Sequence, residues 1–167
     1  MTRVSPERAG LLDDMQRAGR QLSAATIMFH QAIADRLGLN PTDHKCLDLL
    51  VLKGLMTAGE LAEMTGLTTG AITGVIDRLE GAGYVRREDD PNDRRRVILR
   101  VIPKGYREIG RLFESLSAAV NDLGARYNDR ELATILDFMT RSSQMLHEET
   151  RKLRRPETPG GRGKPRS

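Results

Sequence analysis

From Leu11 to Leu37 apolar side chains recur at Leu11, Met15, Ala18, Leu22, Ala25, Phe29, Ala32 and Ile33. That three-or-four spacing predicts an amphipathic helix, with Gly38 placed to end it. Asn40 before Pro41 reads as an N-cap followed by proline at the first helical position, opening a second helix through Cys46, Leu47, Leu50 and Val51 to Gly54. Thr57 with Glu60 forms a capping box for a short third helix ending near Gly66. Thr68 caps a fourth, whose apolar residues Ile72, Val75, Ile76 and Leu79 share one face before Gly81 and Gly83 end it. The period then shortens. Tyr84 to Arg87 and Val97 to Val101 read as strands around the polar loop Asp89 to Arg96, a hairpin with a basic tip. Pro103 starts a helix carrying Ile109, Leu112, Phe113, Leu116, Val120 and Leu123. Asn128 with Glu131 starts a last one carrying Leu132, Ile135, Leu136, Met139, Leu146 and Leu153.

Two short helices joined by Thr65, Gly66 and Leu67, the second followed by a hairpin, give the order helix, turn, recognition helix, wing. The fold expected is mainly α, a winged helix-turn-helix with a small β-hairpin wing flanked by long terminal helices. With Ile72, Val75, Ile76 and Leu79 turned inward, the opposite face presents Thr69, Gly70, Thr73 and Gly74. Such small residues let a helix sit deep in a major groove, where threonine can meet base edges, phosphates or a thymine methyl. For Thr68 a plain N-cap and a DNA contact stand equal. Arg78, a turn beyond Thr73, is a candidate phosphate contact that can equally pair with Asp77 or Glu80 on a solvated surface. At the hairpin tip, Asp93 is followed by Arg94, Arg95 and Arg96, three guanidiniums on a loop thin enough for a minor groove.

Charge placement supports a polyanionic partner. Arg86 to Arg107 holds eight basic and four acidic residues and Arg151 to Ser167 seven and one, so +4 and +6 leave −6 for the remainder of a chain whose net charge is +4. A length of 167 residues favours one folding unit. It is placed at 8–153, with a winged-helix lobe at 39–107, dimerisation helices at 8–38 and 108–153, and a disordered basic tail at 154–167. No apolar run approaches the roughly 20 residues that span a bilayer. The stretch Met1 to Gly10 lacks the pattern of a secretory segment, and Cys46 is the single cysteine, so the expected compartment is the cytoplasm. Cys46 falls on the apolar face beside Leu50, which favours a buried structural thiol over a redox sensor. His30, His44 and His147 lie on three predicted helices without metal-ligand spacing, leaving only a site assembled between helices. No metal, cofactor or catalytic constellation is expected, and hence no enzyme. A protein-docking winged helix is the competing reading, and the basic wing argues against it.

The stretch Gly66 to Gly105, GLTTGAITGVIDRLEGAGYVRREDDPNDRRRVILRVIPKG, resembles the MarR family of bacterial winged-helix regulators, most specifically at Asp77-Arg78-Leu79-Glu80 and Asp90-Pro91-Asn92-Asp93-Arg94-Arg95. The flanking helices extend the similarity over about residues 8 to 153. The pattern departs at Val101 and Ile102, where the family usually has leucine and threonine; Ile102 cannot cap, and Pro103 partly compensates. The resemblance implies a homodimer of intertwined terminal helices that binds a palindromic operator in double-stranded DNA. It also implies repression by default, release by a small-molecule effector, and a ligand pocket near His30 and His44. It makes Arg95 the wing-tip arginine of the minor groove and Asp93 the residue that holds the tip in shape.

Overall fold

The computed structural model describes residues 5–91, 93 and 95–154. Its elements are α1 (Pro6–Leu37), α2 (Pro41–Lys53), β1 (Met56–Thr57), α3 (Ala58–Thr65), α4 (Thr69–Gly81), β2 (Val85–Asp89), β3 (Val97–Val101), α5 (Pro103–Gly124) and α6 (Asp129–Arg154). Internal contacts divide the chain into two compact units, one ending at Ser115 and one beginning at Leu116. Arg154 still belongs to α6, and the rest of the basic tail lies outside the described residues.

The caps set the helix boundaries, and those of α2, α3 and α4 fall where the sequence places them while α1 starts earlier. Ser5 accepts from the Arg8 N–H and Pro6 sits in the first turn, so α1 starts five residues before the first apolar residue of its stripe; Gly38, left-handed at φ 65°, ends it. Asn40 caps α2, and the reciprocal Thr57–Glu60 box caps α3. At the end of α4, Gly83 takes φ 72° and its N–H donates to the Glu80 carbonyl while the Tyr84 N–H donates to Leu79. Tyr84 is therefore in the turn and not in the strand, which begins one residue later at Val85.

In the first unit, Ile72, Val75, Ile76 and Leu79 of α4 are all buried against Cys46, Leu47 and Leu50 of α2, Leu61 of α3 and Leu99 of β3. Each such side chain contributes about 1.5–3 kcal/mol by leaving water. A third strand, not anticipated, joins the hairpin: β1 pairs antiparallel with β3, Met56 opposite Leu99 and Thr57 opposite Ile98, giving the order β1-β3-β2. Two residues are too few for a period to register in sequence. β2 and β3 pair from Val85 opposite Val101 to Asp89 opposite Val97. Tyr84 is buried and donates its hydroxyl to Glu108 Oε2 at 2.8 Å; burial, then that hydrogen bond, pushes its pKa up to about 12.

In the second unit, α6 is opened by Asn128, whose Oδ1 accepts from the Arg130 and Glu131 N–H groups while Glu131 accepts from the Asn128 N–H. No residue of α6 is buried, although Leu136, Phe138, Met139, Met145, Leu146 and Leu153 lie along it.

Candidate nucleic-acid interface

Because the apolar stripe of α4 faces inward, its opposite side is open to solvent: Thr68, Thr69, Gly70, Ala71 and Thr73 are exposed and Gly74 half-exposed. Thr68 is the N-cap, its Oγ1 accepting from the Ala71 N–H at 3.3 Å. The Thr73 hydroxyl donates to the Thr69 carbonyl at 2.9 Å. Its hydrogen is thereby committed, and what Thr73 offers outward is an acceptor oxygen and a methyl. A Cβ placed on Gly70 would meet nothing within 4 Å, so the protein's own packing gives no reason for glycine there.

Arg78 pairs with neither Asp77 nor Glu80. Its Nε donates to Asp43 Oδ2 and its Nη2 to Asp43 Oδ1, both at 2.7 Å, across 35 positions of sequence. Asp77 and Glu80 instead both accept from Arg87, tying β2 to the back of α4. Asp43 lies in the first turn of α2, which carries no local mark of such a role. Its only sequence signal is Asn40 three residues earlier, whose Nδ2 donates to the same carboxylate at 2.7 Å.

The wing tip is a folded turn. Asp90 N–H donates to the Arg96 carbonyl and Arg96 N–H to the Asp93 carbonyl, each at 2.9 Å, and Asp93 Oδ1 accepts from the Arg95 N–H at 3.0 Å. Arg95 is exposed at this turn. Arg96 reaches instead to Glu60 Oε1 at 3.1 Å, linking the wing to the start of α3. Hydrogen bonds from Thr57, more than Arg96 itself, hold the Glu60 carboxyl below its usual range. Arg94 lies outside the described residues.

The MarR family model matches residues 39–97, which span this helix-turn-helix and the wing up to the start of β3. The chain is similar to the uncharacterized HTH-type transcriptional regulator YcgE of Bacillus subtilis (strain 168), 47% identical over 135 residues that cover 81% of this chain and 88% of that protein. The chain belongs to the MarR family. Its fold is also that of a MarR family protein from Bacillus stearothermophilus, at TM-score 0.62 and 24% identity over 88% of this chain and 99% of that one. The apo form of wild-type MarR from E. coli gives TM-score 0.55 at 19% identity, covering 84% and 98%. This MarR-family chain is thus a DNA-binding transcriptional regulator with a winged helix-turn-helix, in which α4 is the second helix of the helix-turn-helix and β2 and β3 form the wing.

The two histidines singled out in sequence come together. His30 Nδ1 of α1 and His44 Nε2 of α2 are 3.1 Å apart, flanked by Phe113, whose ring centroid is 5.8 Å from that of His30. His44 is buried, and its Nδ1 finds no hydrogen-bond partner among the described residues. Burial holds its pKa below the usual histidine value, with Asp48 opposing and His30 adding to the shift. Phe113 also lines an open apolar cleft with Val51, Leu52, Tyr106 and Ile109, with Asp48 at its side. Among the described residues no group of three metal-ligating side chains assembles, and no helix is long and apolar enough to cross a membrane. His147 lies on α6, in the other unit.

Proposed function

We propose that this regulator is a homodimeric repressor that binds a palindromic operator and is released by a small-molecule effector. The observation that carries the reading is the exposed face of α4. Thr69, Gly70 and Thr73 are exposed, on a helix whose apolar side, Ile72, Val75, Ile76 and Leu79, is buried. Thr69 and Thr73 meet base edges, Gly70 admits the close approach, and Thr68 spends its hydroxyl oxygen on capping while its proton is free for a phosphate. Asp93 shapes the turn from which Arg95 enters the minor groove, Arg94 next to it in sequence adds a second cation for the DNA, and Arg96 exchanges Glu60 for a phosphate.

Dimerisation is supported by the long helices. In α1 the apolar positions Leu11, Met15, Ala18, Leu22, Ala25 and Phe29 step by alternate fours and threes, as do Ile109, Phe113, Leu116, Val120 and Leu123 in α5. In α6, Leu132, Met139, Leu146 and Leu153 recur every seven residues. Such seams pack against helices, yet Leu11, Leu22, Val120, Leu123, Met139 and Leu146 are exposed in the single chain. A two-fold dimer then reads half-sites about one helical turn, roughly 34–36 Å, apart. The effector reading rests on the apolar cleft at Phe113, whose ring also packs beside His30 of the His30–His44 pair. It weakens DNA binding by as much as it prefers the dimer geometry unsuited to DNA, and no more.

The test is binding of the purified protein to its own upstream DNA and to a scrambled duplex across a salt series, with Arg95→Ala alongside and the mass measured by light scattering. A dimer with selective, salt-dependent binding that the variant loses is expected. A monomer in solution, or equal binding to the scrambled duplex and to all genomic fragments, would replace this reading by a protein-docking winged helix.

A further inference from the structure

We infer that Arg78 is a guanine-reading residue of the recognition helix and that Asp43 is the positioning residue that makes it one. The inference deepens the DNA-binding reading of α4 and rests on it.

Asp43 is 2% exposed, and its carboxylate accepts from the Nε and Nη2 of Arg78 and the Nδ2 of Asn40, while its own N–H donates to Asn40 Oδ1 at 2.8 Å. It is therefore anchored to the α2 cap and cannot follow a moving arginine. The Arg78 side chain, by contrast, remains 54% exposed. Of its five N–H groups, two are held side-on by Asp43; the Nη1 pair and the second hydrogen of Nη2 have no partner among the described residues. Those hydrogens form the end-on edge, the fork that matches O6 and N7 of guanine in the major groove.

Position agrees with that role. Gly70, Gly74 and Arg78 follow each other at four-residue intervals on one face of α4, and helical side chains lean toward the N-terminus. The guanidinium accordingly lies back over Gly74, where a Cβ would stand 3.3 Å from Nη1. With Gly70, Ala71 and Gly74 it borders an open groove running to Asn40 and Thr42 at the start of α2.

Charge separates a base reader from a phosphate contact. The bidentate carboxylate cancels the arginine's charge, so little net attraction is left for the phosphate backbone, whereas directional N–H groups held in one orientation are what discriminates a base. A free arginine would behave in the opposite way.

The experiment selects duplexes from a randomised pool with the wild-type protein and then replaces each selected guanine in turn by 7-deazaguanine, which lacks N7. One guanine per half-site is expected whose replacement weakens wild-type binding on the order of 10-fold or more, with no further loss in Arg78→Ala. Asp43→Asn frees one positive charge. It is expected to lose the guanine preference while its binding to scrambled duplex is kept or tightened and its salt slope steepens by up to about 0.9. A merely structural role for Asp43 would weaken both kinds of binding together. Should Asp43→Asn fail to fold, Arg78→Lys keeps the charge without the rigid fork and is expected to lose the preference alone. An unchanged guanine preference in Arg78→Ala, with the wild-type protein binding selectively, would overturn this inference and leave the DNA interface standing. A wild-type protein that selects no sequence would remove both.

Discussion

Gly70→Ala is expected to make the protein more stable and worse at binding DNA. Gly70 stands in the first turn of α4 at negative φ, and an added methyl would meet no atom within 4 Å. Alanine there reduces the freedom of the unfolded chain and strains nothing, a gain of about 0.5–1 kcal/mol. For a chain of this length that raises Tm by about 1–4 °C, read by differential scanning fluorimetry at fixed protein concentration, since the Tm of the proposed dimer depends on it. The same methyl projects from the face proposed to approach the bases, so operator affinity should fall on the order of 10-fold, the scale of one lost base contact. Gly81→Ala is the internal control. It lies on the same helix, exposed and with open space around its Cβ, but at the end away from the N-terminal reading residues. A similar gain in stability is expected there with unchanged affinity. A Gly70→Ala protein that is more stable and binds its operator as tightly as wild type would refute the claim that this face lies close to the bases.

Three further outcomes follow from the packing. Gly105→Ala should cost about 1–3 kcal/mol, because its Cβ would stand 2.8 Å from Val101 Cγ1 and 3.0 Å from the Tyr84 carbonyl oxygen; an unchanged thermal midpoint would contradict the packing of α5 on the strands. Cys46 is fully buried, and burial first, with the Asp43 charge next, pushes its thiol up to about 11, so iodoacetamide at pH 8 should label it promptly in urea and hardly at all in the native protein. His44 is held below the usual value of 6.5 by burial, so the unfolded chain takes the proton first. Its stabilising contribution is complete above pH 6.5 and is lost as pH falls from there toward the folded value, by at most about 1.4 kcal/mol per unit. Urea midpoints between pH 7.5 and 5.5 should fall less in His44→Gln than in wild type, and equal falls would rule out His44 as the source.

Much of the architecture was legible in sequence because it is written locally. Helix starts were marked by Asn40, Thr57, Thr68 and Asn128, each of which accepts backbone N–H groups within its own first turn. The inward face of α4 followed from a period of 3.6, and the wing from a change of period and a polar loop rich in turn formers. The start of α1 was read late because Ser5 and Pro6 precede the apolar stripe, and β1 was missed because two residues carry no period. By identifying the buried face, the sequence by itself also determined which α4 residues remain open to solvent.

Pairings between distant segments were decided only by the tertiary structure. Local reasoning gave Arg78 the partners it could see, Asp77 and Glu80, whereas the fold assigns those two to Arg87 and brings Asp43 across from α2. Charge partners are chosen by which helices pack together, and a carboxylate that is buried must be matched wherever the matching cation comes from. Arg96 likewise departs from its neighbours to Glu60, and His30 meets His44 although 14 positions separate them. Periodicity tells which side of a helix turns inward; only the packed chain tells which inward sides meet, because that choice is made by complementary shape over the whole core and not by any short stretch of residues.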